Sequence, residues 1–191
     1  LISEVRTVEA VSRHVMEAGG KRLRPALVLL SARAVNESAD PERVAGVAAS
    51  AELIHTATLM HDDVIDDADS RRGRSTANSV WGNRISVLSG DYVLAKAFSL
   101  LSQTGDVAVM RAVSSATIAM AEGEIAQIEA RGDTSALSGI YLTIIRNKTA
   151  EFMSACCRVG AIMAQSSPEE EQALASYGLD LGMAFQITDD L

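Results

Sequence analysis

Apolar residues recur every three or four positions along almost the whole chain, broken only by short stretches of Gly, Pro, Asn, Asp and Ser. That period belongs to amphipathic helices, not to strands. Only 4% of the residues are aromatic, whereas β-rich domains lean on aromatic and β-branched side chains, so an all-β fold is disfavoured. A hydrophobic share of 48% over 191 residues supplies a sizeable core for one domain or a large part of one. The spacing predicts helices over 3–18, 25–35, 40–67, 85–102, 106–130, 137–163 and 168–191, with Gly19-Gly20 capping the first and Pro25 opening the second. No repeat, low-complexity tract or linker interrupts the pattern, and a single domain over 1–191 is expected.

Charge and cysteine usage narrow the classes further. A formal net charge of -8 repels nucleic acid unless the basic residues gather in one place. No integral membrane segment is expected, because the most hydrophobic stretch, Ala26 to Leu30, is only a few residues long and Arg84, Asp91 and Lys96 interrupt the next candidate. The two cysteines, Cys156 and Cys157, are adjacent and poorly placed to bridge each other, so a reducing, cytoplasmic setting is expected. The chain starts without Met and stops inside a helical pattern, which reads as a cut at both ends.

The densest chemical feature is His61-Asp62-Asp63-Val64-Ile65-Asp66-Asp67-Ala68-Asp69, with five carboxylates in eight positions at the end of the third helix. Asp62 and Asp66 lie four residues apart on one face with Asp63 beside them, so their charges repel unless a cation compensates. Mg²⁺ is commonly held by one or two carboxylates plus substrate phosphates, and the spacing suits it. A solvated acidic helix end is the plainer reading of such a cluster. Two basic groups change the balance: Arg71, Arg72 and Arg74 directly follow, and Lys21, Arg22 and Arg24 occupy the loop before Pro25. Guanidinium forks suit phosphate oxygens, so basic groups beside an acidic patch suggest a polyphosphate site, with scattered surface ion pairs as the alternative. Ala51, His55, Thr58 and Leu59 fall on the stripe of Asp62 and Asp66, a small or apolar wall below an acidic mouth. His55 is either a phosphate donor or a satisfied core histidine. Gln186, Asp189 and Asp190 repeat the acidic theme, and two aspartate pairs facing one another across a bundle are expected.

Four segments together resemble the trans-prenyltransferases, the polyprenyl diphosphate synthases. They are Gly19-Gly20-Lys21-Arg22-Leu23-Arg24-Pro25, the run from Ile54 to Asp66, Arg71-Arg72-Gly73, and Phe185-Gln186-Ile187-Thr188-Asp189-Asp190, with Lys148-Thr149 between the last two. Order and spacing match across nearly the whole chain. The resemblance implies an all-α isoprenoid-synthase-type helical bundle around a central cavity, truncated at its C-terminal end. It implies Mg²⁺ held by Asp62, Asp63, Asp66, Asp189 and Asp190. Arg71 matches the contact to an allylic diphosphate such as farnesyl diphosphate, with Lys148, Thr149 and Gln186 as further contacts. Lys21, Arg24, His55 and Arg72 match the site for isopentenyl diphosphate. A homodimer is the implied assembly.

The implied chemistry needs this arrangement. An allylic carbon–oxygen bond breaks as pyrophosphate leaves, cationic groups stabilise the charge on its oxygens, and the isopentenyl double bond attacks the allylic cation. The adduct loses a proton to the departing pyrophosphate, which accounts for the lack of a dedicated base, and apolar walls keep out water that would quench the cation. In similar enzymes bulky aromatic residues just before the first aspartate motif stop growth early; Ala57 and Thr58 stand there, so a medium- or long-chain product of the kind used for quinone side chains is expected. Met110, Met120 or Ile128 are candidates for a tunnel floor. The second aspartate motif lacks its third carboxylate and the helices after it, so weak or no activity is expected if this is the whole molecule. Rival readings are a non-catalytic subunit of a heteromeric synthase and a farnesyl or geranylgeranyl diphosphate synthase. A metal-dependent phosphohydrolase has too few histidines here, an EF-hand loop fails at Arg71, and a terpene cyclase needs no second set of basic residues.

Overall fold

A computed structural model describes residues 3–191, apart from the side chains of 134–138. Among these residues the chain is helical save for one small hairpin. In order it forms α1 (Arg6–Glu17), α2 (Leu23–Val35), α3 (Pro41–Ile65), β1 (Ser70–Arg71), β2 (Arg74–Ser75), α4 (Ala77–Trp81), α5 (Asn83–Ser102), α6 (Val107–Glu129) and α7 (Thr134–Ile145). A π-turn (Arg146–Ala150), α8 (Glu151–Met163) and α9 (Pro168–Asp189) complete it. Contacts gather in two compact units: Leu1–Leu23 with Ala49–Gln103, and Arg24–Ala48 with Thr104–Leu191.

In the first unit Val11, Ile54, Ala57, Met60, Val93, Ala97 and Leu101 are buried, and α5 packs on α1 and α4. The sequence pattern carried the third helix to Asp67; it ends at Ile65 because Asp67 turns left-handed at φ +49°. The Ala68 N–H then returns to the Asp63 carbonyl at 2.9 Å and the Asp67 N–H to Val64 at 3.4 Å, the paired bonds of a Schellman stop. The hairpin and α4 follow, both absent from the sequence expectation.

In the second unit the buried side chains include Val28, Val47, Val109, Phe152, Met153 and Val159. Asp106 caps α6 by accepting from the Ala108 and Val109 N–H groups, and Ser167 with Glu170 forms a capping box at α9, with Pro168 in its first turn. The stretch expected as one helix over 137–163 is α7, the π-turn and α8 in succession. Cys156 and Cys157 are free and buried; burial pushes the Cys157 thiol up, partly offset by a hydrogen bond with Ser31.

One helix bears on the expectation that the chain has no integral membrane segment, by a test of length and composition that the core helix of a soluble protein also passes. At 20 residues and a mean hydropathy of 1.2, α5 is long and apolar enough to cross a membrane by length and composition, with 33% of that window buried here. The charged residues named as interruptions are too widely spaced to pull the average down.

Candidate active site

The last turn of α3 and the hairpin after it build the core of a site in the first unit. Asp63 is only 5% exposed, and one of its oxygens accepts from Arg71 Nε at 2.7 Å. The Asp66 N–H still bonds to the Asp62 carbonyl at 2.8 Å, so those two side chains keep helical spacing although Asp66 lies past the last helical residue. Arg71 pairs with Arg74 across the hairpin, and the turn residues Arg72 and Gly73 have φ +53° and +75°, the left-handed pair that a tight two-residue hairpin requires. Arg72 Nη1 donates to the Gly19 carbonyl, which ties the second basic segment to the first.

These elements surround a small cleft whose walls include Arg22, Glu52, His55, Asp63, Arg71 and Arg72. Arg22 forms an ion pair with Glu52 and donates to the Met16 carbonyl at 3.1 Å. The structure thus gathers His55, Asp63, Arg71 and Arg72, while Lys21 is exposed and Asp62 half-buried at the edge of the group. The stripe of α3 facing the cleft is Glu52, Thr56, Leu59 and Asp63, about one position over from the stripe read from sequence, with His55 and Leu59 common to both. Glu52 and Thr56 escaped the sequence reading. Glu52 left a usable signal as the only carboxylate between Val44 and Met60, seven and eleven residues before Leu59 and Asp63.

A second constellation lies within the other unit. The π-turn carries Lys148, which pairs with Glu124 and donates to Gln127 Oε1 at 3.2 Å, and Thr149, whose hydroxyl donates to Gln186 Oε1 at 2.9 Å. Gln186 in turn donates to Asp190 Oδ1 at 2.9 Å, and the Tyr141 hydroxyl donates to Asp190 Oδ2 at 2.7 Å. That bond to a carboxylate, with smaller help from desolvation, pushes the Tyr141 phenol up. Thr149, Gln186, Asp190 and Tyr141 therefore form one hydrogen-bonded chain, Lys148 is held beside it by Glu124 and Gln127, and Asp189 stands exposed at the end of α9. Glu124, Gln127 and Tyr141 are the partners here that sequence reasoning missed. Arg24 lies with its guanidinium 5.8 Å from the Phe152 ring.

Among the described residues no three acidic, histidine or cysteine side chains form a ready-made metal cluster. The donor set nevertheless fits a hard cation shared with a phosphate ligand: Asp62 and Asp66 are oxygen donors with helical i, i+4 spacing, and such a cation needs only one or two carboxylates from the protein. One oxygen of Asp63 is already engaged by Arg71.

Residues 5–191 match the family model described as polyprenyl synthetase. The chain belongs to the polyprenyl synthetase family. It is 40% identical over 191 residues to octaprenyl diphosphate synthase of Escherichia coli, covering 100% of this chain and 58% of that protein. The crystal structure of a decaprenyl diphosphate synthase from Rhodobacter capsulatus superposes with a TM-score of 0.94 at 46% identity, over 99% of this chain and 58% of that one. A polyprenyl synthase from Caulobacter crescentus, solved with calcium and isoprenyl diphosphate, gives 0.95 at 41% identity, over 99% and 57%. The chain thus spans well under two thirds of the length of these polyprenyl synthetases. Over that span it has their all-α isoprenoid-synthase fold.

Proposed function

We propose that this chain is part of a trans-prenyltransferase domain that condenses isopentenyl diphosphate with an allylic diphosphate to make a medium- or long-chain polyprenyl diphosphate, as for a quinone side chain. The observation that carries the reading is the Arg71–Asp63 bond, which joins the aspartate motif to the arginine hairpin at one basic cleft. Four arginines, Arg22, Arg71, Arg72 and Arg74, line that cleft against two carboxylates, Glu52 and Asp63, an excess of positive charge suited to diphosphate.

Asp62 and Asp66 would hold Mg²⁺, joined by Asp189 and Asp190. When bound, the metal supplies Lewis-acid stabilisation to the departing diphosphate. The chain's own groups do the rest. Asp63 aims Arg71 at the allylic diphosphate, and Lys148 adds a second positive charge, with Thr149 and Gln186 as hydrogen-bonding partners. Lys21, Arg24, His55 and Arg72 hold the isopentenyl diphosphate. The allylic C–O bond breaks with its electron pair leaving on pyrophosphate, the isopentenyl double bond forms the new C–C bond, and the adduct's proton goes to the pyrophosphate. The assembly is a homodimer.

The test is Asp62→Ala in the full-length protein, supplied with farnesyl and isopentenyl diphosphates and Mg²⁺. Elongation, followed by mass analysis of products, is lost while the melting temperature stays near that of the parent, since removing one of several like charges costs the fold little. A parent protein that releases phosphate without lengthening a prenyl chain, or a variant that elongates normally, overturns the reading.

A further inference from the structure

Two residue pairs are too few to hold a hairpin alone, so the groups that aim Arg71 and Arg72 lie outside it. On one side, Asp63 takes Arg71, and Asn78 Nδ2 donates to the carbonyls of Asp63 and Ala68 at 3.2 and 3.1 Å. On the other side the contacts come from α1 and the two glycines after it. His14 Nε2 lies 2.7 Å from the Ser75 carbonyl oxygen. A carbonyl only accepts, so the ring proton sits on Nε2 and His14 is the donor. The same ring meets Trp81 edge to face, with centroids 5.1 Å apart and planes at 76°. One imidazole therefore grips both the return strand of the hairpin and the last residue of α4.

Two other contacts reach the hairpin from that side. Glu17 stands 3.9 Å from Arg74, with both side chains about half exposed, and such a pair contributes little. Arg72 itself reaches the Gly19 carbonyl and lies over Gly20, where an added Cβ would sit 2.5 Å from its Nη1. That contact gives way as soon as Arg72 turns to an anion. Among the described contacts from α1, the His14 bond is the one that fixes hairpin backbone while leaving the guanidinium of Arg72 free to move.

We propose that His14 is a positioning residue for the second-diphosphate subsite, tethering β2 through Ser75 so that Arg72 is presented to isopentenyl diphosphate. This rests on the prenyltransferase reading above. Trp81, the one tryptophan of this sequence, touches the His14 ring and reports on the cleft without turnover. The full-length protein is titrated with isopentenyl diphosphate without divalent cation, following tryptophan fluorescence, and KM and kcat are measured with Mg²⁺.

His14→Phe keeps an aromatic edge on Trp81 and removes the donor; His14→Gln restores an N–H. The phenylalanine variant weakens isopentenyl diphosphate binding and raises its KM by up to about tenfold, the usual reach of one hydrogen bond. Its kcat and allylic KM stay within about twofold of the parent's, and the glutamine variant recovers most of the loss. An unchanged Kd and KM in His14→Phe, a glutamine variant no better than phenylalanine, or a fall in kcat at constant KM overturns the proposal. Should the phenylalanine variant fail to fold, His14→Asn, too short to reach Ser75, takes its place. A parent that binds isopentenyl diphosphate but never elongates sinks the prenyltransferase reading instead, and the fluorescence Kd values still decide the role of His14.

Discussion

Neighbouring side chains on α3 point to different surroundings, and that decides which substitution can report on product length. Ala57 is fully buried, at 0% exposure, in the same core as Ile54 and Met60. Thr58 is only partly buried, its hydroxyl donating to the His55 carbonyl at 2.8 Å. A phenyl ring at 57 overpacks a closed core, which costs about 1–3 kcal/mol. Ala57→Phe therefore lowers the melting temperature by about 2–4 °C per kcal/mol, whereas Thr58→Phe shortens the product with the melting temperature nearly unchanged. Thermal unfolding and mass analysis of products check both; full-length product from Thr58→Phe refutes a tunnel beside that residue. The two positions read alike in the sequence because their contrast is one of packing, which a 100° step along a helix settles only when the neighbours are known. Asp63 teaches the same lesson, since its engagement by Arg71 depends on a hairpin that lies eight residues on and leaves no periodic signal. Ile128, offered as a tunnel floor, is 44% exposed, because the face of α6 it occupies turns away from the buried row of Val109, Ala116 and Met120.

Helices were legible wherever the three- and four-residue spacing ran unbroken, and their ends wherever a cap used Gly, Pro, Ser or Asp. The π-turn was not, because one residue too many in a helix changes no composition and breaks no apolar pattern. Its consequence is nevertheless local and testable. The extra residue swings Lys148 toward Glu124 and Gln127 and Thr149 toward Gln186, and α9 approaches this turn so closely that a Cβ added at Gly182 would lie 2.5 Å from the Ala150 Cα and 2.9 Å from its Cβ. Backbone atoms cannot swing aside as a side chain can. Gly182→Ala therefore displaces the turn or α9, lowering stability by about 1–3 kcal/mol in chemical denaturation and carrying Thr149 away from Gln186. Retained stability together with full elongation activity would mean that the turn tolerates displacement and that its placement of Thr149 is immaterial. Glu124 and Gln127 stayed hidden for a related reason: they share a face at i, i+3 on α6, but nothing in their own segment shows that a lysine more than twenty residues later turns back to them.

The total charge of -8 argues against any anionic ligand, yet four arginines line one cleft. Net charge governs behaviour at long range, whereas affinity for a diphosphate follows the few groups within hydrogen-bond reach. The family was legible from motif order before any coordinates, and the two basic segments already pointed to polyphosphate; what the sequence left open was which of their arginines meet at one cleft. The proposed homodimer would use a different feature. On α6, Ile118 and Ile125 are seven residues apart and stay 59% and 56% exposed, with the small residues Ser114 and Ala121 on the same face. Burying such side chains stabilises an interface by about 1.5–3 kcal/mol each, and a self-complementary seam repeated by a two-fold axis counts every one twice. Replacing both isoleucines with glutamate places four charges in that seam and converts the dimer to monomer in sedimentation at micromolar concentration, with the far-UV spectrum unchanged because neither side chain supports the fold of its own chain. A parent protein that is already monomeric, or a double variant that keeps the mass of a dimer, removes α6 from the interface.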